Sequence, residues 1–317
     1  MHMLHGARAL ALLLALPAAV LAGPLAFITN QGSDDVSVID LEAGSVIATV
    51  AVGADPAGVS VDPRRRLVFV TSAKSGELTA LDADSHGVQA RTAAGAGPLG
   101  IVNDTQRGRV YVADWHADKV RAFDAMSLAP RGEYATGRAP SGLALTPDGQ
   151  LLLVANRDDN EVQVINTVAG MTIARIGVGK APFGVTVSRD GSRAFVANVQ
   201  SHEVTVIDMA GLQPSLTIGV GHMPYAVAHD ARRERIFVTN QEDSDVTVFD
   251  LVERRELARI AVGDYPEGIA IDADRRRVYV ANWFSNSVSV IDADTLEVVD
   301  EIATGNNNRA FGDFILP

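Results

Sequence analysis

The sequence predicts an all-β protein: a seven-bladed β-propeller with four-stranded blades, its ring closed by a C-terminal inner strand pairing with the N-terminal blade. Three observations predict it. First, a 42-residue period runs unbroken through the chain, so that the residue ending the first apolar run of each unit is Asn30, Ser72, Asp114, Asn156, Asn198, Asn240 and Asn282. Second, the residue after each Val-x-Val-Ile-like run keeps the same register, as Asp40, Asp82, Asp124, Asn166, Asp208, Asp250 and Asp292. Third, every period holds four short β-rich segments bounded by Gly, Pro, Asn and Asp, and no stretch sustains a helical periodicity. Four strands in a repeat of about 40–45 residues mark one propeller blade per repeat.

The elements follow in chain order. Residues 1–22, "MHMLHGARALALLLALPAAVLA", carry Arg8, an apolar run from Ala9 to Leu21 and the small-x-small ending Val20-Leu21-Ala22. This pattern reads as a secretory signal peptide cut before Gly23, and its apolar run is short for a membrane span. The expectation is export to a bacterial periplasm. Residues 23–317 then form one propeller domain, monomeric and without a transmembrane segment. In the first period "LAFIT", "VSVID", "VIATVAV" and "GVSVD" are the four strands. Inner strands face neighbouring blades on both sides, so they should be apolar throughout, with glycines where they crowd the axis. A proline before each inner strand recurs as Pro56, Pro98, Pro140, Pro182, Pro224 and Pro266, with Asn308 in the seventh slot. The chain enters in mid-blade, so closure should come from "RAFGDFILP", with Phe311–Leu316 pairing against Ala26–Thr29. That pairing removes two open sheet edges.

The phrases "YVAN", "FVTN", "TVID" and "VGxxPxG" resemble the YVTN-type repeat of periplasmic and surface-layer seven-bladed propellers, the YncE-like family, over essentially all of residues 23–317. The resemblance implies the fold. For function it implies a wide range, from non-enzymatic binding proteins to distant propellers that are lactonases, a streptogramin lyase or haem-carrying reductases.

The repeated residues read as structural. Asn and Asp cap tight turns with their own side chains. Gly95–Gly100 fits G-x-G-x-x-G, but a strand follows it where a dinucleotide cradle needs a helix N-terminus. Asp82-Ala-Asp84, Asp272-Ala-Asp274 and Asp292-Ala-Asp294 lack the rest of a calcium loop. There is no G-x-S-x-G, H-E-x-x-H or P-loop. With no cysteine, disulfides, thiolate metal sites and C-x-x-C-H haem attachment are excluded. The net charge of −12 argues against nucleic acid as a partner.

Function is expected where the repeat varies. The turn after each "YVTN" and the "VGxxPxG" turn emerge on one face. The slot between Pro and Gly reads Ala57, Leu99, Ser141, Phe183, Tyr225, Glu267 and Arg309; the slot after the Asn reads Gln31, Ala73, Trp115, Arg157, Val199, Gln241 and Trp283. The candidate ligand-binding residues at this channel mouth are Trp115, Arg157, Phe183, Tyr225, Tyr265, Glu267, Trp283, Phe284 and Arg309. Aromatics beside a few placed charges suit an unidentified protein or small-molecule ligand. His116, His202 and His222 are the candidates for a metal ion, but they occupy different slots of the repeat; otherwise no cofactor is expected. The opposite face carries Arg64–Arg66, Arg107, Arg109, Arg232, Arg233, Arg235, Arg254, Arg255 and Arg275–Arg277, so an electrically polarised molecule is expected.

Two classes of function remain open. The first is an exported, non-catalytic propeller binding at its aromatic mouth. The second is a metal-assisted hydrolase or lyase, or an accessory protein of a periplasmic redox system, with His116, His222, Glu267 and Arg309 as its polar groups.

Overall fold

A computed structural model of the chain describes residues 23–317. The expected signal segment, residues 1–22, lies outside them. Among the described residues no helix is long and apolar enough to cross a membrane. The strands form seven sheets, six of four strands and one that gains a fifth. Each complete blade runs from an inner strand outward. Pro56–Asp62, Leu67–Ser72, Glu77–Asp82 and Val88–Ala93 are an example, each antiparallel to the next. Blades are numbered here in chain order from the one containing Leu25–Asn30.

Burial falls off from axis to rim. Pro56–Asp62 is buried at every position, whereas the outermost strand Ser45–Ala51 has one side to solvent and alternates. One slot of the second strand carries Phe27, Phe69, Tyr111, Leu153, Phe195, Phe237 and Tyr279, all buried between blades. Each such aromatic contributes about 1.5–3 kcal/mol by leaving water.

The inner strands crowd as the glycines predict. A Cβ on Gly58, Gly100, Gly142 or Gly184 would lie 2.2, 1.9, 2.3 or 2.4 Å from the carbonyl oxygen of Leu99, Ser141, Phe183 or Tyr225, so only hydrogen fits. Side-chain hydroxyls stitch the same seams. Thr29, Thr71 and Thr239 donate to the carbonyls of Ala57, Leu99 and Glu267 at 2.8, 2.6 and 2.9 Å.

The repeated Asp after the second run caps its turn as expected; Asp40 Oδ1, for instance, accepts from the N–H groups of Glu42 and Ala43. The repeated Asn does something else. Asn30, Asn156, Asn198, Asn240 and Asn282 are buried, and each Nδ2 donates to side chains of the adjoining strand, as Asn30 does to Asp35 and Ser37. The Asn therefore ties two strands together rather than capping a turn.

The ring closes through the C-terminus, with a refinement to the expected pairing. Asn308 bridges Asn30, and Ile315–Leu316 pairs antiparallel with Leu25–Ala26. Phe311–Asp313 instead runs parallel to Pro56–Asp62 of the next blade, with Asp313 opposite Ser60. Gly312, at φ +128°, gives the chain the turn it needs to leave the ladder and return.

Much of the charge on the arginine-rich face is paired. Its arginines sit among the carboxylates that cap the same turns. Arg65 pairs with Asp62, Arg66 with Asp84, Arg107 with Asp104, Arg275 with Asp272 and Glu42, and Arg277 with Asp292. Arg233 bonds both Asp230 and Asp294. Pairing at contact distance cancels much of the far field that a run of arginines suggests.

Candidate functional site

The inner-strand slot between Pro and Gly brings its residues to one end of the channel. Ala57, Leu99, Ser141, Phe183, Tyr225 and Glu267 are all buried there. Phe183 packs on Tyr225 with ring centroids 4.4 Å apart, and Phe311 lies 5.1 Å from Phe183 and 5.3 Å from Tyr225. Trp115 leans on this group from the next slot, 6.0 Å from Phe183, and the Arg157 guanidinium lies 5.7 Å from the Trp115 ring centroid. The mouth is thus filled by its own side chains. Phe311 was not legible as a mouth residue, because the departure of Phe311–Asp313 from the ladder is what carries it there.

Charge is also settled internally. Arg309 Nε donates to Glu267 Oε2 at 2.6 Å and Arg309 Nη2 donates to Tyr225 Oη at 2.5 Å. Gln241 Nε2 completes the carboxylate at 3.0 Å. Burial pushes the Glu267 carboxyl upward, an effect that the Arg309 charge and the hydrogen bonds partly offset. Burial likewise raises the Tyr225 hydroxyl, against the pull of Arg309. Gln241 stands in the slot after the Asn, so its place was readable, but its partner was not.

A second aromatic group stands on the rim. Tyr265, Trp283 and Phe284 form a triangle with centroids 5.6, 5.2 and 4.5 Å apart, the closest being the stacked Trp283–Phe284 pair. Phe284 is 56% exposed. Arg309 links the two groups, with its guanidinium 6.0 Å from the Trp283 ring and 5.8 Å from that of Tyr225.

The histidines are divided. The His202 and His222 rings meet edge to face at 5.0 Å. Each is held in a turn-to-turn clasp that other blades make with Asp, Asn or Ser. His202 Nδ1 accepts from the Met223 N–H at 3.1 Å, as Asn160 and Asp118 accept from Ala181 and Ala139. The His222 ring Nδ1 bonds Asp243 Oδ1 at 2.8 Å, and the His222 backbone N–H donates to Asp243 Oδ2. Among the described residues no three His, Asp or Glu side chains are grouped so as to hold a metal ion. His116, His202 and His222 therefore do not assemble into one site.

A family model described as a YNCE-like beta-propeller matches residues 44–235, more than half of the chain. The chain belongs to the YncE-like β-propeller family. A second model, the cytochrome D1 heme domain, matches residues 217–310. Within that segment Tyr225, Glu267 and Arg309 bond one another, and His222 bonds Asp243 through Nδ1. No curated protein matches the chain.

Several solved structures share this family member's fold. A hydrazine synthase chain from Kuenenia stuttgartiensis is 20% identical with a TM-score of 0.73, over 81% of this chain and 89% of that one. A functionally unknown protein from Desulfotomaculum acetoxidans is 15% identical with a TM-score of 0.78, over 89% and 97%. Dihydro-heme d1 dehydrogenase NirN in complex with DHE is 18% identical with a TM-score of 0.69, over 90% and 74%. At these identities the likeness is one of fold, and activity has to be argued from the site.

Proposed function

We propose that this propeller is an exported, non-catalytic binding protein whose aromatic mouth face docks a partner protein. One observation carries the reading: Phe284 stands 56% exposed on Trp283 and Tyr265, beside a mouth already filled by Phe183, Tyr225 and Phe311. An exposed aromatic anchor beside a filled mouth suits a protein contact, where a small ligand would need an open pocket. The charged groups nearby point the same way. Glu267 and Arg309 satisfy each other, which supports packing rather than proton transfer or metal chemistry.

The test is native mass spectrometry with metal analysis on protein purified from its own cell envelope, for the wild type and Phe284→Ala. A protein partner carried by the wild type and lost by a variant with unchanged melting is the expected result. A partner retained by Phe284→Ala, or one stoichiometric metal lost on replacing His116 or His222, overturns the reading.

A further inference from the structure

Beneath the aromatic cluster the ring encloses a cavity of about 380 Å³ that runs along the inner strands, from Gly142, Gly184 and Phe311 to Leu145, Val187 and Arg189 at the other face. Aliphatic side chains such as Ile101, Leu143, Val185, Val227 and Ile269 alternate on its wall with polar groups. Two hydroxyls that line it are already bonded: Ser60 donates to Asn103 Oδ1 at 2.9 Å and Thr186 to the Val227 carbonyl at 2.7 Å. The ionisable groups on the wall are the Asp313 carboxylate, Arg189, and His229, whose Nε2 has no hydrogen-bond partner and whose pKa is lowered by burial, favouring the neutral ring.

The closing strand puts Asp313 there. In the other blades the inner strand steps past its partner by one residue in the first turn, as between Pro56 and Val59. In the closing strand Asn308 still faces Asn30, but Ala26 faces Ile315, two residues later than that pattern places it. The extra length is taken up at Phe311–Asp313, which leaves Gly312 and Asp313 accessible on the channel side. Among the described residues no Arg, Lys or His nitrogen lies within ion-pair reach of Asp313, and Arg189 at the channel end is likewise unpaired. Protein packed around it pushes the Asp313 carboxyl up to about 6, offset only by the Ile315 backbone N–H. At neutral pH it is an anion that faces the channel with no cation among the described residues in ion-pair contact, so its charge is free to meet a ligand.

We infer that the channel is a binding site for a small organic cation, a protonated amine with an apolar body, anchored by Asp313. The hydrocarbon part meets the aliphatic side chains and the ammonium meets the carboxylate. A divalent metal needs several oxygen ligands at once, and a single carboxylate beside committed hydroxyls does not supply them. The volume is near the lower end of ordinary ligand pockets, roughly 300–1,000 Å³, which suits a chain of a few carbons. The site is separate from the mouth face, and its test does not depend on a partner there.

The experiment is equilibrium binding at neutral pH of hexylammonium, hexanol and hexanoate to the mature protein, followed by amide chemical shifts. Hexylammonium should bind about tenfold or more tightly than hexanol, and hexanoate more weakly than either. The shifts should centre on Val59, Ser60 and Phe311–Asp313. Asp313→Asn should bring hexylammonium to the level of hexanol; Asp313→Glu should keep a preference for the cation. The wild-type shift map stands by itself if the Asn variant folds poorly. Equal affinities for the three probes, shifts centred elsewhere, discrimination that survives in Asp313→Asn, or displacement of hexylammonium by calcium at equal concentration would each overturn the inference.

Discussion

Arg309 and Glu267 occupy the same slot of consecutive repeats, and they meet as a buried ion pair, Nε to Oε2 at 2.6 Å, across the seam where blade 7 meets the closing strand of blade 1. Five other repeats fill that slot with Ala57, Leu99, Ser141, Phe183 and Tyr225. The ring is thus fastened by opposite charges at the junction its own repeat cannot supply. Arg309→Ala should cost about 3–5 kcal/mol, because it leaves Glu267 buried and uncompensated. Arg309→Met with Glu267→Met should recover most of that loss. Denaturant unfolding of the single and double variants checks both.

Removing residues 310–317 takes away both pairings of the closing strand and reopens the edge of Leu25–Asn30. The shortened chain should melt at lower temperature and lose solubility. An unchanged melting curve would show that the ring does not depend on this closure.

Gly100→Ala should destabilise by at least about 1–3 kcal/mol, since its Cβ would sit 1.9 Å from a backbone oxygen that cannot move alone. Gly177→Ala meets nothing within 4 Å and should be nearly neutral. The difference between their denaturation midpoints measures how tightly the inner strands are packed.

Two mouth aromatics should behave differently. Phe284→Ala removes an exposed ring and should change stability by less than about 0.5 kcal/mol. Trp115→Ala removes a ring packed on Phe183 and should cost about 3 kcal/mol. Thermal melts separate a surface built for contact from one that is part of the plug.

Asp313 gives a pH signature. Its carboxyl is raised to about 6 in the folded chain, so the folded state holds this proton more tightly than the unfolded state. The associated stability is present below the ordinary carboxylate range and is lost as pH rises through about 6. Asp313→Asn carries no charge at any pH. It should match the wild type near pH 4 and exceed it in melting temperature above about pH 7.

The sequence by itself determined the ring. A 42-residue period fixes blade number and strand order, because each blade buries its faces only against the next. Position within the repeat fixes which face a side chain occupies. Asp40 and its equivalents cap turns, and Gly58 and its equivalents touch neighbouring carbonyls, for reasons local to the repeat. Tertiary structure decided what the repeat does not encode. That Phe183, Tyr225 and Phe311 fill the mouth, that Glu267 finds Arg309, and that the turn arginines pair with turn carboxylates all depend on distances between blades. The same is true of Asp313. Its facing the channel follows from a two-residue slip in the closing strand, a register set by how the last strand packs between blades 1 and 2.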